Sequence, residues 1–124
     1  MANTYLSPNV LDGGLDYLTA QATDLHICSQ PPGNFAAVGS YTLGSKAGPT
    51  VSAAGARTGG GRQVTISAIT DGTVTATDVA GFWAIVDTAG SELLAAGILA
   101  TAAWVGSGNP FALTAFHIGF PNPA

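Results

Sequence analysis

Charge is the scarcest ingredient of this 124-residue chain. Lys and Arg contribute three residues and Asp and Glu seven, together 8% of the chain, against about 25% in an average soluble domain. The net charge of −4 excludes a self-repelling disordered chain and a basic footprint for nucleic acid. A folded domain of this length leaves roughly a third of its unfolded surface in water, and ten charges cannot cover it. Either the surface is neutral, dressed in Thr, Ser, Gly and Ala, or partner protein covers much of it, since interface cores are depleted in charge.

Other absences narrow the field further. Cys28 is the single cysteine, so no intrachain disulfide can form and a small disulfide-stapled scaffold is excluded. The opening residues 1–8, MANTYLSP, have neither a cation nor an apolar core and do not read as a secretory signal. The most apolar run, LLAAGILATAAWV at 93–105, is shorter than the roughly 20 residues a membrane-spanning helix needs. A product of a cytoplasm, with neither membrane nor nucleic acid as partner, is expected.

What is present suffices for one domain. Leu, Ile, Val and Phe number 29, above the roughly 20% below which a chain reads as disordered. Gly and Ala, 17 and 22 residues, fill much of the rest. Val10, Leu11, Leu15 and Leu18 recur at helical spacing, with Pro8 and Asn9 at the start and Asp12 and Asp16 in the early turns, where the helix dipole favours negative charge. Gly13 and Gly14 predict that this helix is short. Leu25, Ile27 and Ser29 then alternate against Asp24, His26 and Cys28, a strand ended by Gln30-Pro31-Pro32-Gly33.

Residues 34–62 read as loop, with one short extended segment at 41–46 and a flexible loop or arm, GARTGGGR, at 55–62. Beyond them strands and turns alternate. Val64, Ile66 and Ala68 have the period of a half-buried strand. Asp71-Gly72 lies between two β-branched runs and predicts a type I′ hairpin joining 62–70 to 73–79. Residues 82–86 form the next strand, closed by a turn at 87–90, and 92–99 pairs back on it. That last run also fits a helical period, but Gly97 and the preceding turn favour strand. Residues 104–116 read as strand, turn, strand, and 121–124 as an extended tail. Strands every ten residues or so argue for an all-β antiparallel sandwich or barrel, with one short N-terminal helix.

Catalytic chemistry finds little to stand on. His26 and Cys28 share one strand face, but a zinc site needs two more ligands and no cationic cluster would activate the thiol. His117 is isolated. Gly55 and Gly60 have Walker-loop spacing, but Gly61 stands where lysine is required. Gly106-Ser107-Gly108 lacks the full nucleophile-elbow pattern. Asp12 and Asp16, one helical turn apart, have too few oxygen ligands around them for a calcium loop. No catalytic, metal or cofactor residue is assigned. Arg57 and Arg62 suit pairing with acidic groups of a neighbouring protein, and Tyr5 and Phe120, near the chain ends, suit contacts with another subunit. Trp83, Trp104, Phe82, Phe111 and Phe116 are large apolar anchors, placed in the core by default.

Residues 1–18 (MANTYLSPNVLDGGLDYL), 26–31 (HICSQP), 40–46 (SYTLGSK), 61–77 (GRQVTISAITDGTVTAT), 82–88 (FWAIVDT), 92–97 (ELLAAG) and 107–121 (SGNPFALTAFHIGFP) together resemble a family of small structural proteins of tailed bacteriophages, associated with capsid decoration, or cement. The resemblance implies a β-rich, non-enzymatic virion protein. It would dock on the outside of an icosahedral head, bridge major capsid subunits and associate with itself as a homotrimer or homodimer, the trimer slightly preferred. Two alternatives stay open: another virion component, such as a head–tail connector or tail protein, and a glycan-binding β-sandwich module in which Trp83 or Trp104 stacks on a sugar.

Overall fold

The computed structural model describes residues 8–57 and 59–120. Within them the chain is mostly β, an antiparallel sandwich carrying two helices. The order is α1 (Pro8–Gln21), β1 (Asp24–Cys28), α2 (Phe35–Tyr41), β2 (Thr42–Ala47), β3 (Gly55–Ala56), β4 (Arg62–Ile66), β5 (Ile69–Val74), β6 (Asp78–Asp87), β7 (Glu92–Val105), β8 (Pro110–Leu113) and β9 (Phe116–Phe120). The larger sheet runs β7-β6-β1-β2-β5-β8 and the smaller β3-β4-β9. No helix among the described residues is long and apolar enough to cross a membrane.

One apolar cluster joins the two sheets. Leu25 and Ile27 of β1, Leu43 of β2, Val74 of β5 and Ile85 of β6 meet Val64 and Ile66 of β4 and Leu15 and Leu18 of α1. Fully burying a side chain of this size contributes about 1.5–3 kcal/mol. On the other face of the large sheet Cys28, Ala84 and Val86 form a second cluster under α2, through Val38 with Phe35 packed alongside. The alternation read at 24–29 therefore holds, with both faces of the strand covered.

α1 is longer than expected, 14 residues. The glycines lower its propensity, but Leu15 and Leu18 dock on β4, and tertiary packing outweighs the intrinsic term. The helix α2 was not anticipated. Its signal is local: the Asn34 side chain accepts a hydrogen bond from the Ala37 amide at 2.8 Å, a standard N-cap, and Phe35 and Val38 are one turn apart. The segment 55–62 is a hairpin rather than a loose arm. Gly55 pairs with Gln63 and Ala56 with Arg62, and Gly59, Gly60 and Gly61 turn the chain with φ of 89°, 103° and 98°, angles open to glycine at little cost.

The hairpin expected at Asp71-Gly72 is absent. Both residues lie inside β5, at an irregularity where Ile69 faces Leu113 and Gly72 faces Phe111. The break falls earlier, at Ser67 and Ala68, where the chain leaves the small sheet for the large one; Ala68 is exposed rather than buried. The physical reason is the aromatic neighbour. A Cβ on Gly72 would stand 2.1 Å from the Phe111 ring, so the glycine serves a close approach within a strand instead of a turn. The 104–116 unit also differs. β7 ends at Val105 and β8 begins at Pro110, but the two lie on opposite edges of the sheet and do not pair. Residues 92–99 are strand as expected, continuous to Val105. The tail 121–124 lies outside the described residues.

These contacts set a graded series of glycine substitutions. Gly44→Ala would place its Cβ 2.2 Å from the Thr73 carbonyl oxygen, a main-chain atom that cannot rotate away. Gly72→Ala meets a ring, and Gly13→Ala in α1 meets nothing within 4 Å. Urea denaturation should show Gly44→Ala and Gly72→Ala destabilised by about 1–3 kcal/mol, Gly44→Ala more so, and Gly13→Ala stabilised by about 0.5–1 kcal/mol.

Candidate functional site

The candidate contact residues gather at one end of the small sheet. Ala56, Arg62 and Phe120 are successive ladder partners across β3, β4 and β9. Arg57 follows β3 directly, and its guanidinium Nη1 donates to the Gly60 carbonyl at 3.0 Å, bracing the hairpin. Asp12 of α1 reaches the same place and accepts two hydrogen bonds from Arg62, Nε to Oδ1 at 2.7 Å and Nη2 to Oδ2 at 3.1 Å. The first turns of α1 and the end of β9 thus converge on the β3–β4 hairpin. Tyr5 lies outside the described residues.

The bidentate pair changes the reading of Arg62. Its carboxylate partner belongs to its own chain, with the two side chains 26% and 21% exposed, and the Asp12 carboxylate holds the guanidinium pKa above its ordinary value. Arg62 is therefore a fastener of α1 to β4 before it is anything else. Lys46 is paired in the same way with Asp71 at 3.1 Å, in a more exposed setting. Among the described residues, Lys46 and Arg62 each have a carboxylate partner, whereas Arg57 is held by a neutral carbonyl.

The residues weighed for chemistry are kept apart. His26 is on β1 of the large sheet and His117 on β9 of the small one. The Thr42 hydroxyl gives its proton to the Gly44 carbonyl at 3.1 Å, so it accepts from His26 Nδ1 at 2.8 Å, which fixes the tautomer with Nε2 as the acceptor. Burial lowers the His26 pKa below its usual value, with Asp24 opposing the shift. His117 Nδ1 lies 3.0 Å from the Thr65 hydroxyl on an exposed part of β9. Cys28 is buried, and burial pushes its thiol up to about 11. A thiol that stays protonated at neutral pH is not a nucleophile. Among the described residues no three His, Cys, Asp or Glu gather as metal ligands do.

The aromatic anchors divide. Phe111 is buried, and Trp83 packs against Phe116 at 4.8 Å between ring centroids. These two border a groove of about 550 Å³ between β7 and the β8–β9 segment, with Leu99, Leu113 and His117 on its walls. Trp104 departs from the core expectation: it is 69% exposed, beside its ladder partner Val79 at 44%, and Ile98 is 77% exposed. Sequence reasoning missed this surface because an apolar strand reads as buried; nothing in 93–105 distinguishes a covered face from a bare one.

No protein-family model, curated protein or solved structure matches the chain.

Two titrations check this geometry. The Cys28 thiol should react with a disulfide reagent at pH 8 far more slowly in the native chain than in guanidinium, and the native rate should climb as pH approaches 11. His26 has a folded pKa below its unfolded one, so the unfolded chain takes up the proton first as pH falls. Stability should therefore drop between pH 7.5 and 5, and His26→Gln should flatten that slope in a thermal-melt series.

Proposed function

We propose that this chain is a capsid decoration, or cement, protein, carried on the exterior of an icosahedral bacteriophage head. The reading rests on the resemblance of its sequence segments to small structural proteins of tailed phages. The observation that supports it most directly is the convergence of α1, β9 and the Arg57 hairpin at one end of the small sheet. A protein that bridges capsid subunits needs shape, a firm scaffold and reach, and no titrating machinery. Here the scaffold is a two-sheet core, in which Asp12 fastens α1 to β4 beside the Arg57 hairpin. Arg57, held by the neutral Gly60 carbonyl, is suited to an acidic group on a major capsid subunit.

The exposure of Trp104 favours a second reading, a glycan-binding module, because an exposed indole can stack on a sugar ring. Its ladder partner is the apolar Val79 rather than a carboxylate or amide that would orient sugar hydroxyls, so this reading ranks lower. A tail or connector position in the virion is the remaining alternative.

Heads lacking the chain, mixed with purified protein and sedimented, separate these readings. Wild-type chain should saturate the heads. Deletion of residues 1–7 should weaken binding about tenfold or more, by removing contacts worth about 1.4 kcal/mol, while the circular dichroism spectrum stays unchanged. Arg57→Ala should weaken binding in a manner that added salt mimics in the wild type. Protein found on tails, or bound to glycan and not to heads, would overturn the proposal.

A further inference from the structure

The described strands leave four sheet edges, and three are blunt. β3 has two residues, β8 has four and opens with Pro110, and β9 has five with His117 among them. Short length, proline and polar side chains are the usual protections of an edge, whose unpaired amides and carbonyls otherwise template another strand. β7 is the exception. It has 14 residues, and after Glu92 it contains neither a charge nor a proline. Its ladder with β6 is interrupted at Leu94 and again over 99–102, and between those breaks Ala95 to Ile98 pair regularly with Ile85 to Phe82.

We propose that a second copy of this chain lays its own β7 antiparallel along this edge, across a two-fold axis at Gly97. Directly opposed residues of an antiparallel ladder share a face, with Cβ atoms about 4.5–5.5 Å apart. In this register Gly97 meets its own counterpart, and Ala96 of each copy meets Ile98 of the other. Both are exposed, and they share the face of their ladder partners Ala84 and Phe82. The small side chain leaves room for the large one, twice by symmetry. The core side of Gly97 is already filled, since the Trp83 ring stands 2.7 Å from where a Cβ would be, so no side chain obstructs the axis.

Charge points to the same occupant. A neutral edge suits a neutral strand, and β7 supplies one. Glu92, its one charge, lies five residues from the axis, which puts the two copies' carboxylates about 33 Å apart, beyond screening distance. In this register Trp104 would stand opposite Gly90, beyond the partner's β7, so the apolar area covered per copy is that of Ile98, 77% exposed, against the opposing Ala96. The paired main chains and Leu99 add to it. An edge that meets its own copy in this way closes as a dimer. This goes beyond the capsid reading and stands without it.

Analytical ultracentrifugation of the full chain, free of heads, tests the proposal. The expected mass is twice 12.3 kDa. Ile98→Lys, at an exposed position, and Ala96→Leu, which removes the space for the opposing Ile98, should each return the chain to monomer, weakening association about a hundredfold, with an unchanged dichroism spectrum. Hydrogen exchange should show the amides of 95–99 protected in the wild type and released in either variant. A wild-type monomer, a trimer, or a dimer that both variants leave intact would overturn it. Protection of 95–99 that arises only on heads would assign this edge to the capsid subunit instead. Because heads are absent from the first measurement, its failure leaves the decoration reading standing, and a dimer that binds no heads does the reverse.

Discussion

Strand β1 must satisfy two apolar layers at once, and most of the architecture follows from that demand. Leu25 and Ile27 look into the space shared with α1 and β4, and Cys28 looks out beneath α2. A five-residue strand buried on both faces cannot stand at an edge, so it lies between β2 and β6. Its two neighbours then extend the sheet to β5 and β8 on one side and to β7 on the other. Each layer needs a lid. α1 with the small sheet closes one face; α2, held by its Asn34 cap, closes part of the other. α2 is only seven residues long, and this shortness is why the far end of β6 and β7 is left with Val79 and Trp104 in water.

The Asp12–Arg62 pair is the polar counterpart of that packing. The buried side chains of α1 fix its distance from β4, but an apolar stripe tolerates sliding along the helix axis. Two hydrogen bonds in a guanidinium–carboxylate fork do not, because the fork has one orientation. In a chain with so few charges, spending one of three cations on register is informative. It ties the beginning of the chain to the hairpin and, through the Arg62–Phe120 ladder step, to the end of β9.

Much of the β text was legible: β1 and β4 alternate with period 2, and β6 and the first half of β7 are apolar runs set off by the turn at 87–90. Where legibility failed, a single residue type had two physical uses. Gly72 after Asp71 spells a hairpin turn, yet the same absence of a side chain admits the Phe111 ring, and only the fold decides between them. The run 55–62 reads as slack chain because its glycines permit almost any φ, whereas the carbonyl of Gly60 and the ladder to β4 select one. α2 was readable in principle from Asn34, Phe35 and Val38, but seven residues carry too little periodicity to stand out from a loop. At the site, charge scarcity could not disclose that Arg62 has a partner 50 residues earlier in its own chain.

Scarcity of charge also has a geometric side. On a typical domain, charged side chains keep sheet edges and apolar faces from finding one another. With ten charges and two ion pairs among the described residues, that task falls to short strands, a proline and helix lids, and each covers one edge or one face only. β3, β8 and β9 are protected by their brevity, and the inner faces by α1 and the small sheet. β7 cannot be short, because its two ladder segments clamp both ends of β6, whose Ala84, Ile85 and Val86 are the best-buried run of the large sheet. The core thus demands a long edge strand, and the composition denies that strand the residues that would keep it solitary. A bare edge of this kind offers its unpaired amides and carbonyls to any strand that fits, so the association proposed above would follow from how the core is built.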